Sequence, residues 1–144
     1  MIEAAKVAER LGGREVLGAD ITTDLELYAM VAEGFQPGVV DALVRNRVIS
    51  KNELGFLDIA PRTLARRKAK RQALTMAESD RIARFARIAA YAEEVFADEG
   101  RAATWLRAPN GALGERRPLE LATTETGARL VETALDRIAF GDYT

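Results

Sequence analysis

Apolar positions recur at intervals of three and four residues along nearly the whole chain, and Gly or Pro falls between one periodic stretch and the next. That spacing belongs to amphipathic helices, and no strand-like alternation persists. The pattern predicts an all-α fold. Residues 2–11 read as a short helix ended by Gly12-Gly13. Residues 14–21 read as irregular, or extended around Val16-Leu17. A helix is predicted over Asp24 to Glu33, with Leu25, Tyr28, Ala29 and Ala32 on one face and Gly34 as its stop. Pro37 suits the first turn of the next helix, which runs to about Asn46 and buries Val40, Leu43 and Val44.

Two capping boxes punctuate the middle of the chain. In Ser50-Lys51-Asn52-Glu53 the hydroxyl accepts from the Glu53 amide while the carboxylate accepts from the Ser50 amide, opening a short helix through Leu54 to Leu57. Asp58-Ile59-Ala60 is a tight link, and Pro61 opens a helix to about Gln72. Thr75-Met76-Ala77-Glu78 repeats the box and starts the longest helix, to about Ala97, with an apolar stripe of Ile82, Phe85, Ala86, Ala89, Ala92 and Phe96. Asp98-Glu99-Gly100 breaks it, and Arg101 to Leu106 form one or two turns. A loop containing Pro109-Asn110-Gly111 and Gly114 follows, then a single turn from Pro118. The last helix is capped at Thr123 or Thr124, carries Gly127, Leu130, Val131, Ala134, Leu135 and Ile138 along one stripe, and ends at Gly141. The division predicted is 1–73 and 74–144, with a helix cap rather than a flexible linker at the boundary.

Composition narrows the chemistry. Of 144 residues, 48% are hydrophobic and 30% charged, enough to bury a core. No apolar run is long enough to span a bilayer, and residues 1–6 lack the features of a signal peptide, so the cytoplasm is the expected compartment. With no Cys and no His, thiol nucleophiles, histidine bases and Cys/His metal sites are excluded. Neighbouring carboxylates such as Glu93 and Glu94 point about 100° apart on a helix, and no Gly-rich phosphate loop follows a strand. The expectation is a non-enzyme with no cofactor.

Net charge is −1, but it is unevenly spread. Residues 1–44 carry 3 basic and 8 acidic groups (−5), residues 45–71 carry 9 and 2 (+7), and residues 72–144 carry 9 and 12 (−3). The centre of the basic block is Pro61-Arg62-Thr63-Leu64-Ala65-Arg66-Arg67-Lys68-Ala69-Lys70-Arg71, where six of the ten residues from Arg62 are basic and none acidic. A solvated helix ordinarily mixes Glu with Lys, because like charges four residues apart repel. Six positive charges without local compensation predict an anionic partner. A short capped helix, a tight link and a Pro-opened basic helix also have helix-turn-helix spacing. In that arrangement Arg62, Thr63 and Arg66 approach base edges, while Arg67, Lys68, Lys70 and Arg71 lie nearer phosphates. RNA or an acidic protein would satisfy the same charge.

The C-terminal half carries an ordered set of short motifs: Thr75-x-x-Glu78-Ser79, Arg84-x-x-Arg87, Ala103-Thr104-Trp105-Leu106, Pro109-Asn110, Leu113-Gly114, Pro118-Leu119-Glu120-Leu121, Thr124-x-x-Gly127, Val131-x-x-x-Leu135 and Arg137-Ile138-x-x-Gly141. In order and spacing it resembles the toxin-binding domain of Xre/MbcA/ParS-type antitoxins. Leu11-Gly12-Gly13, Val16-Leu17-Gly18, Gly34-Phe35 and Ile59 to Arg67 resemble the Xre-like helix-turn-helix region of RES–Xre antitoxins. The resemblance implies a type II antitoxin whose C-terminal domain occludes the active-site cleft of a RES-domain toxin, a class that consumes NAD or uses it for ADP-ribosylation. It also implies a homodimer, higher hetero-oligomers with the toxin, and repression of its own operon through operator DNA.

The residues offered for toxin contact are Trp105, Asn110, Arg116, Arg117, Phe140, Asp142 and Tyr143, with the tail 140–144 placed to enter the cleft. Each has a plainer reading. Trp105 reads as core, Asn110 as part of a turn, Arg116-Arg117 as a solvated pair, and Phe140 and Tyr143 as a chain end. The competing function is a stand-alone helix-turn-helix regulator whose C-terminal half only oligomerises.

Overall fold

A computed structural model describes residues 2–141. Helix α1 (Ala4–Arg10), α2 (Gly13–Leu17), α3 (Asp24–Glu33) and α4 (Gly38–Arg45) lead into a 3-10 helix, Lys51–Leu57. Next come α5 (Pro61–Lys70) and α6 (Met76–Phe96). After them α7 (Glu99–Arg107), a 3-10 turn (Gly111–Leu113), α8 (Pro118–Leu121) and α9 (Glu125–Ala139) complete the described chain. Among the described residues no strand forms, and the fold is all-α.

Helix α6 is the axis of the molecule. Its apolar residues extend well beyond the stripe read from sequence: Ile82, Ala83, Phe85, Ala86, Ile88, Ala89, Ala90, Tyr91 and Ala92 are all buried. A helix that is apolar on most sides must be covered on most sides. Helices α1 and α3 cover it from the N-terminal half, and α7 and α9 from the C-terminal half. One continuous core runs from Ile2, Leu11, Phe35 and Leu43 through Phe85 and Ile88 to Leu106, Leu119 and Leu135.

Polar clamps fix the same helix. Arg84, itself buried, donates to Asp80 at 3.0 Å, to Glu125 at 3.2 Å and to the Thr123 carbonyl at 3.4 Å. Arg87 donates to Glu132 at 2.9 Å. Tyr91 donates to Asp136; burial and that carboxylate push the phenol up to about 12. The Arg84-x-x-Arg87 motif therefore bolts α9 onto α6. On the other side the Ser79 hydroxyl, fully buried, accepts from the Phe35 amide at 2.9 Å.

Several expectations are corrected. Residues 13–17 form a helical turn instead of an irregular or extended segment, because Val16 and Leu17 pack on the core while Gly12 (φ 107) and Gly18 (φ 78) supply the left-handed turns on either side. Helix α3 has the expected ends, with a full capping box at Thr23. Its stripe of Leu25, Tyr28, Ala29 and Ala32, however, faces solvent: Leu25 is 75% and Tyr28 65% exposed, while Leu27, Met30 and Val31 pack inward. The helix carries apolar residues on both sides, and contact with α1 and α6 selects the other one. On α9 the buried line is Gly127, Ala128, Val131 and Leu135, which leaves Leu130 half out in solvent. Helix α7 starts two residues earlier than read, because Asp98 accepts from the Arg101 amide at 3.0 Å and caps it.

The seating of α9 depends on Gly127. A Cβ there would meet the Leu121 carbonyl oxygen at 1.9 Å, and backbone cannot step aside as a flexible side chain can. Gly127→Ala is expected to cost about 1–3 kcal/mol as an overpacked site and to lower the Tm. Replacement at Gly114, whose neighbourhood is open, tests backbone strain alone. An unchanged melting curve for Gly127→Ala would contradict this close approach.

Candidate nucleic-acid and partner interfaces

The helix-turn-helix region is built as a platform with one helix standing away from it. The Ser50 amide donates to Glu53 at 2.8 Å, completing the cap of the 3-10 helix. Both oxygens of that carboxylate also accept from Arg107 of α7, each at 2.9 Å. Glu53 therefore caps one element and ties it to another. Phe56 stacks on Phe85 at 6.3 Å between ring centroids, joining the platform to α6.

Helix α5 is suspended between two buried leucines that lie outside it. Leu57 precedes it and Leu74 follows it, and left-handed residues turn the chain beside both ends, Asp58 (φ 54) and Arg71 (φ 54). The Leu74 amide donates to the Phe35 carbonyl at 2.8 Å. Gly34 permits this approach, since a Cβ there would lie 2.0 Å from the Leu74 oxygen. No residue within α5 is fully buried; Thr63, Leu64 and Arg67 are half-buried and mark its inner face. At 100° per residue the opposite face is Arg62, Ala65, Arg66 and Ala69, all exposed. Two small side chains beside the two arginines let a surface come close to the helix backbone.

The first turns of α6 seat α5. Arg67 donates to Glu78, whose same oxygen accepts from the Thr75 amide at 2.8 Å. Arg81 donates to the Leu57 carbonyl at 3.2 Å and lies 3.9 Å from Asp58. A more exposed pair, Lys68 with Asp41 at 2.9 Å, ties α5 to α4. The expectation of six uncompensated charges is corrected here: Arg67 and Lys68 have partners from distant parts of the chain. Arg62, Arg66, Lys70 and Arg71 are exposed and take part in no ion pair among the described residues. Ala60 precedes the helix without a side-chain cap, and Pro61 stands in its first turn.

The residues offered for partner contact in the C-terminal half separate into different environments. Trp105 is half-buried and packs at 5.8 Å, tilted, on Phe96. The Asn110 side chain accepts from the Ala112 amide at 2.9 Å, and its backbone pairs with Arg116, so it builds the turn that precedes α8. Arg117 lies 3.8 Å from Glu120 in an exposed pair, whereas Arg116 is exposed and in no ion pair among the described residues. Phe140 is 83% exposed at the end of α9. Asp142 and Tyr143 lie outside the described residues. Sequence reading missed a second group: Arg129, Leu130, Thr133 and Arg137 share the outer face of α9 with Phe140. Their i, i+4 spacing was the available signal, hidden because Leu130 also suits the inner stripe.

This arrangement defines a helix-turn-helix protein with an appended helical partner domain. The sequence model of the antitoxin Xre-like helix-turn-helix domain matches residues 26–87, and that of the antitoxin Xre/MbcA/ParS C-terminal toxin-binding domain matches residues 92–141. The antitoxin Xre of Pseudomonas putida is 34% identical over 85% of this chain and 76% of its own length. That of Yersinia enterocolitica is 35% identical over 89% of this chain and 88% of its own. That of Photorhabdus laumondii is 33% identical over 80% and 79%. The chain therefore belongs to the Xre antitoxin family.

Two carboxylates of the platform are held below the usual glutamate value of 4.5. Burial raises Glu53, but hydrogen bonds from Arg107 and the Ser50 amide outweigh it. Burial likewise opposes the shift at Glu78, and hydrogen bonds from the Thr75 amide and Arg67 overcome it. Each folded-state pKa lies below its unfolded value, so the stabilisation is present above the unfolded value and is lost as pH falls through the folded one. The Tm is expected to drop as pH falls below about 4.5, and the drop to be shallower in the double variant Glu53→Gln, Glu78→Gln. An equally steep loss in that variant would place the acid sensitivity elsewhere.

Proposed function

We propose that this protein is the antitoxin of a RES-domain toxin, that its C-terminal half occludes the toxin's active-site cleft, and that α5 binds operator DNA to repress its own operon. The observation that carries the DNA reading is the outer face of α5, where Arg62 and Arg66, exposed and in no ion pair among the described residues, stand beside Ala65 and Ala69. Arginine pairs bidentately with guanine, and alanine contacts a thymine methyl. Lys70 and Arg71, beyond that face, suit phosphate contact. A dimer would present two such helices to a two-fold operator. The RES class of the toxin rests on the resemblance of the N-terminal motifs to the helix-turn-helix region of RES–Xre antitoxins.

For the toxin, the outer face of α9 is the surface with most to offer. Leu130 (51% exposed) and Phe140 supply apolar anchors, and Arg129 and Arg137 lie on the same face. Exposed apolar side chains rimmed by polar residues mark interaction surfaces, and arginine is enriched at interface hot spots. Phe140 leads directly into the tail proposed to enter the cleft.

Phosphate contact by Lys70 and Arg71 implies a slope of log K against log salt of roughly −2 per protomer. Arg62→Ala or Arg66→Ala is expected to cost about 1–3 kcal/mol and to relax preference at particular bases. Full affinity for operator in the double variant would contradict the placement of α5. Separately, full-length Leu130→Asp and Phe140→Asp are expected to fold, because both side chains are exposed, and to lose co-purification with the RES-domain toxin and rescue of cells expressing it. Rescue at the level of the unsubstituted protein would exclude this face. No complex with any RES-domain protein from the same operon would favour a stand-alone regulator.

A further inference from the structure

The charge run of α5 is not one functional unit. Four of its six cations are exposed and in no ion pair among the described residues, while the Arg67 side chain is 13% exposed and pairs with Glu78, 16% exposed. Glu78 is itself fixed, because the oxygen that accepts from Arg67 also accepts from the Thr75 amide that opens α6. Angular position agrees: Arg67 falls between Thr63 and Leu64 on the inner face, about 150° from the midpoint of Arg62, Ala65, Arg66 and Ala69. Since α5 has no fully buried residue, its rotation about its own axis is governed by few contacts. Half-buried Leu64 is non-directional. The Lys68–Asp41 pair is far more exposed, 39% and 60%, and exposed pairs hold side chains weakly.

We propose that Arg67 and Glu78 are a positioning pair that sets the rotation of α5, so that Arg67 touches no DNA and acts on sequence reading through Arg62 and Arg66. This rests on the reading of α5 as the DNA-reading helix and reassigns Arg67 from phosphate contact to scaffold. It makes a counter-intuitive claim about Glu78. Removing a negative charge beside a DNA-binding helix ordinarily strengthens binding to a polyanion. Here it should weaken recognition.

The test uses the full-length protein and two variants, Glu78→Gln and Arg67→Met. The second leaves the α6 cap intact, so a folding defect in the first does not decide the matter. Binding is measured to a duplex carrying the promoter of its own operon and to a scrambled duplex of equal length, across a salt series. Both variants are expected to lose about tenfold or more in the ratio of operator to scrambled affinity, with the salt slope unchanged. If Arg67 is a phosphate contact, Arg67→Met instead lowers the slope by roughly 0.9 on both duplexes, leaves the ratio intact, and overturns the proposal. Amide exchange without DNA gives an independent readout. The amides of residues 62–70 are expected to exchange faster in both variants and unchanged in Arg62→Ala. Unaltered exchange in Arg67→Met would overturn the pair's positioning role. An unsubstituted protein that does not distinguish the two duplexes would count against the DNA reading itself, and the exchange result would still decide whether the pair holds α5.

Discussion

A 21-residue helix with apolar residues on most of its circumference cannot stand in water alone, and α6 imposes that constraint on the rest of the chain. Every neighbour can be read as a response to it. Helices α1 and α3 take one side, α7 and α9 the other. The two family-model matches meet within this helix, one ending at residue 87 and the other beginning at 92. The DNA-reading and toxin-binding roles proposed for the two halves would thus share one structural member. Polar groups secure what hydrophobic burial, being non-directional, leaves loose. Arg84 and Arg87 lock α9 to α6, while Ser79 holds the Phe35 backbone.

The surfaces left for function are those that α6 does not recruit. Helix α5 is anchored through residues just outside it, and its outer face keeps Arg62 and Arg66 free. Helix α9 spends one face on the core and keeps Leu130 and Phe140 outside. Weak burial leaves α5 positioned by a few directed contacts. Strong burial of the inner face of α9 fixes how its outer face is presented.

Helix existence and most helix ends were legible in the sequence because caps are local. Ser50 and Thr75 open the helices that their box spacing predicts, and the ends of α3, capped by Thr23, coincide with those read from the pattern. Faces were less legible. Where a helix carries apolar residues on two sides, periodicity does not say which side a neighbour will cover, and so Leu25, Tyr28 and Leu130 turned outward. Charge compensation was hidden for a related reason. Asp41 and Glu78 lie 27 and 11 residues from the cations they pair with, and composition within a ten-residue window contains no trace of either. The short α2 escaped because its glycines signal a break, while the packing that makes a helical turn worthwhile between them is tertiary. Asn110 shows the converse: its plain reading as a turn residue describes the hydrogen bonds it makes.

The proposed division of roles puts two separate faces on one continuously packed core, α5 for DNA and the outer side of α9 for the toxin. Hydrogen-exchange footprinting of the full-length protein tests it most directly, comparing the protein alone, with operator duplex, and with the RES-domain toxin. The expected result is protection centred on residues 61–70 with DNA and on residues 126–141 with toxin. Protection of α5 by toxin with α9 unchanged, or of α9 by DNA with α5 unchanged, would contradict it.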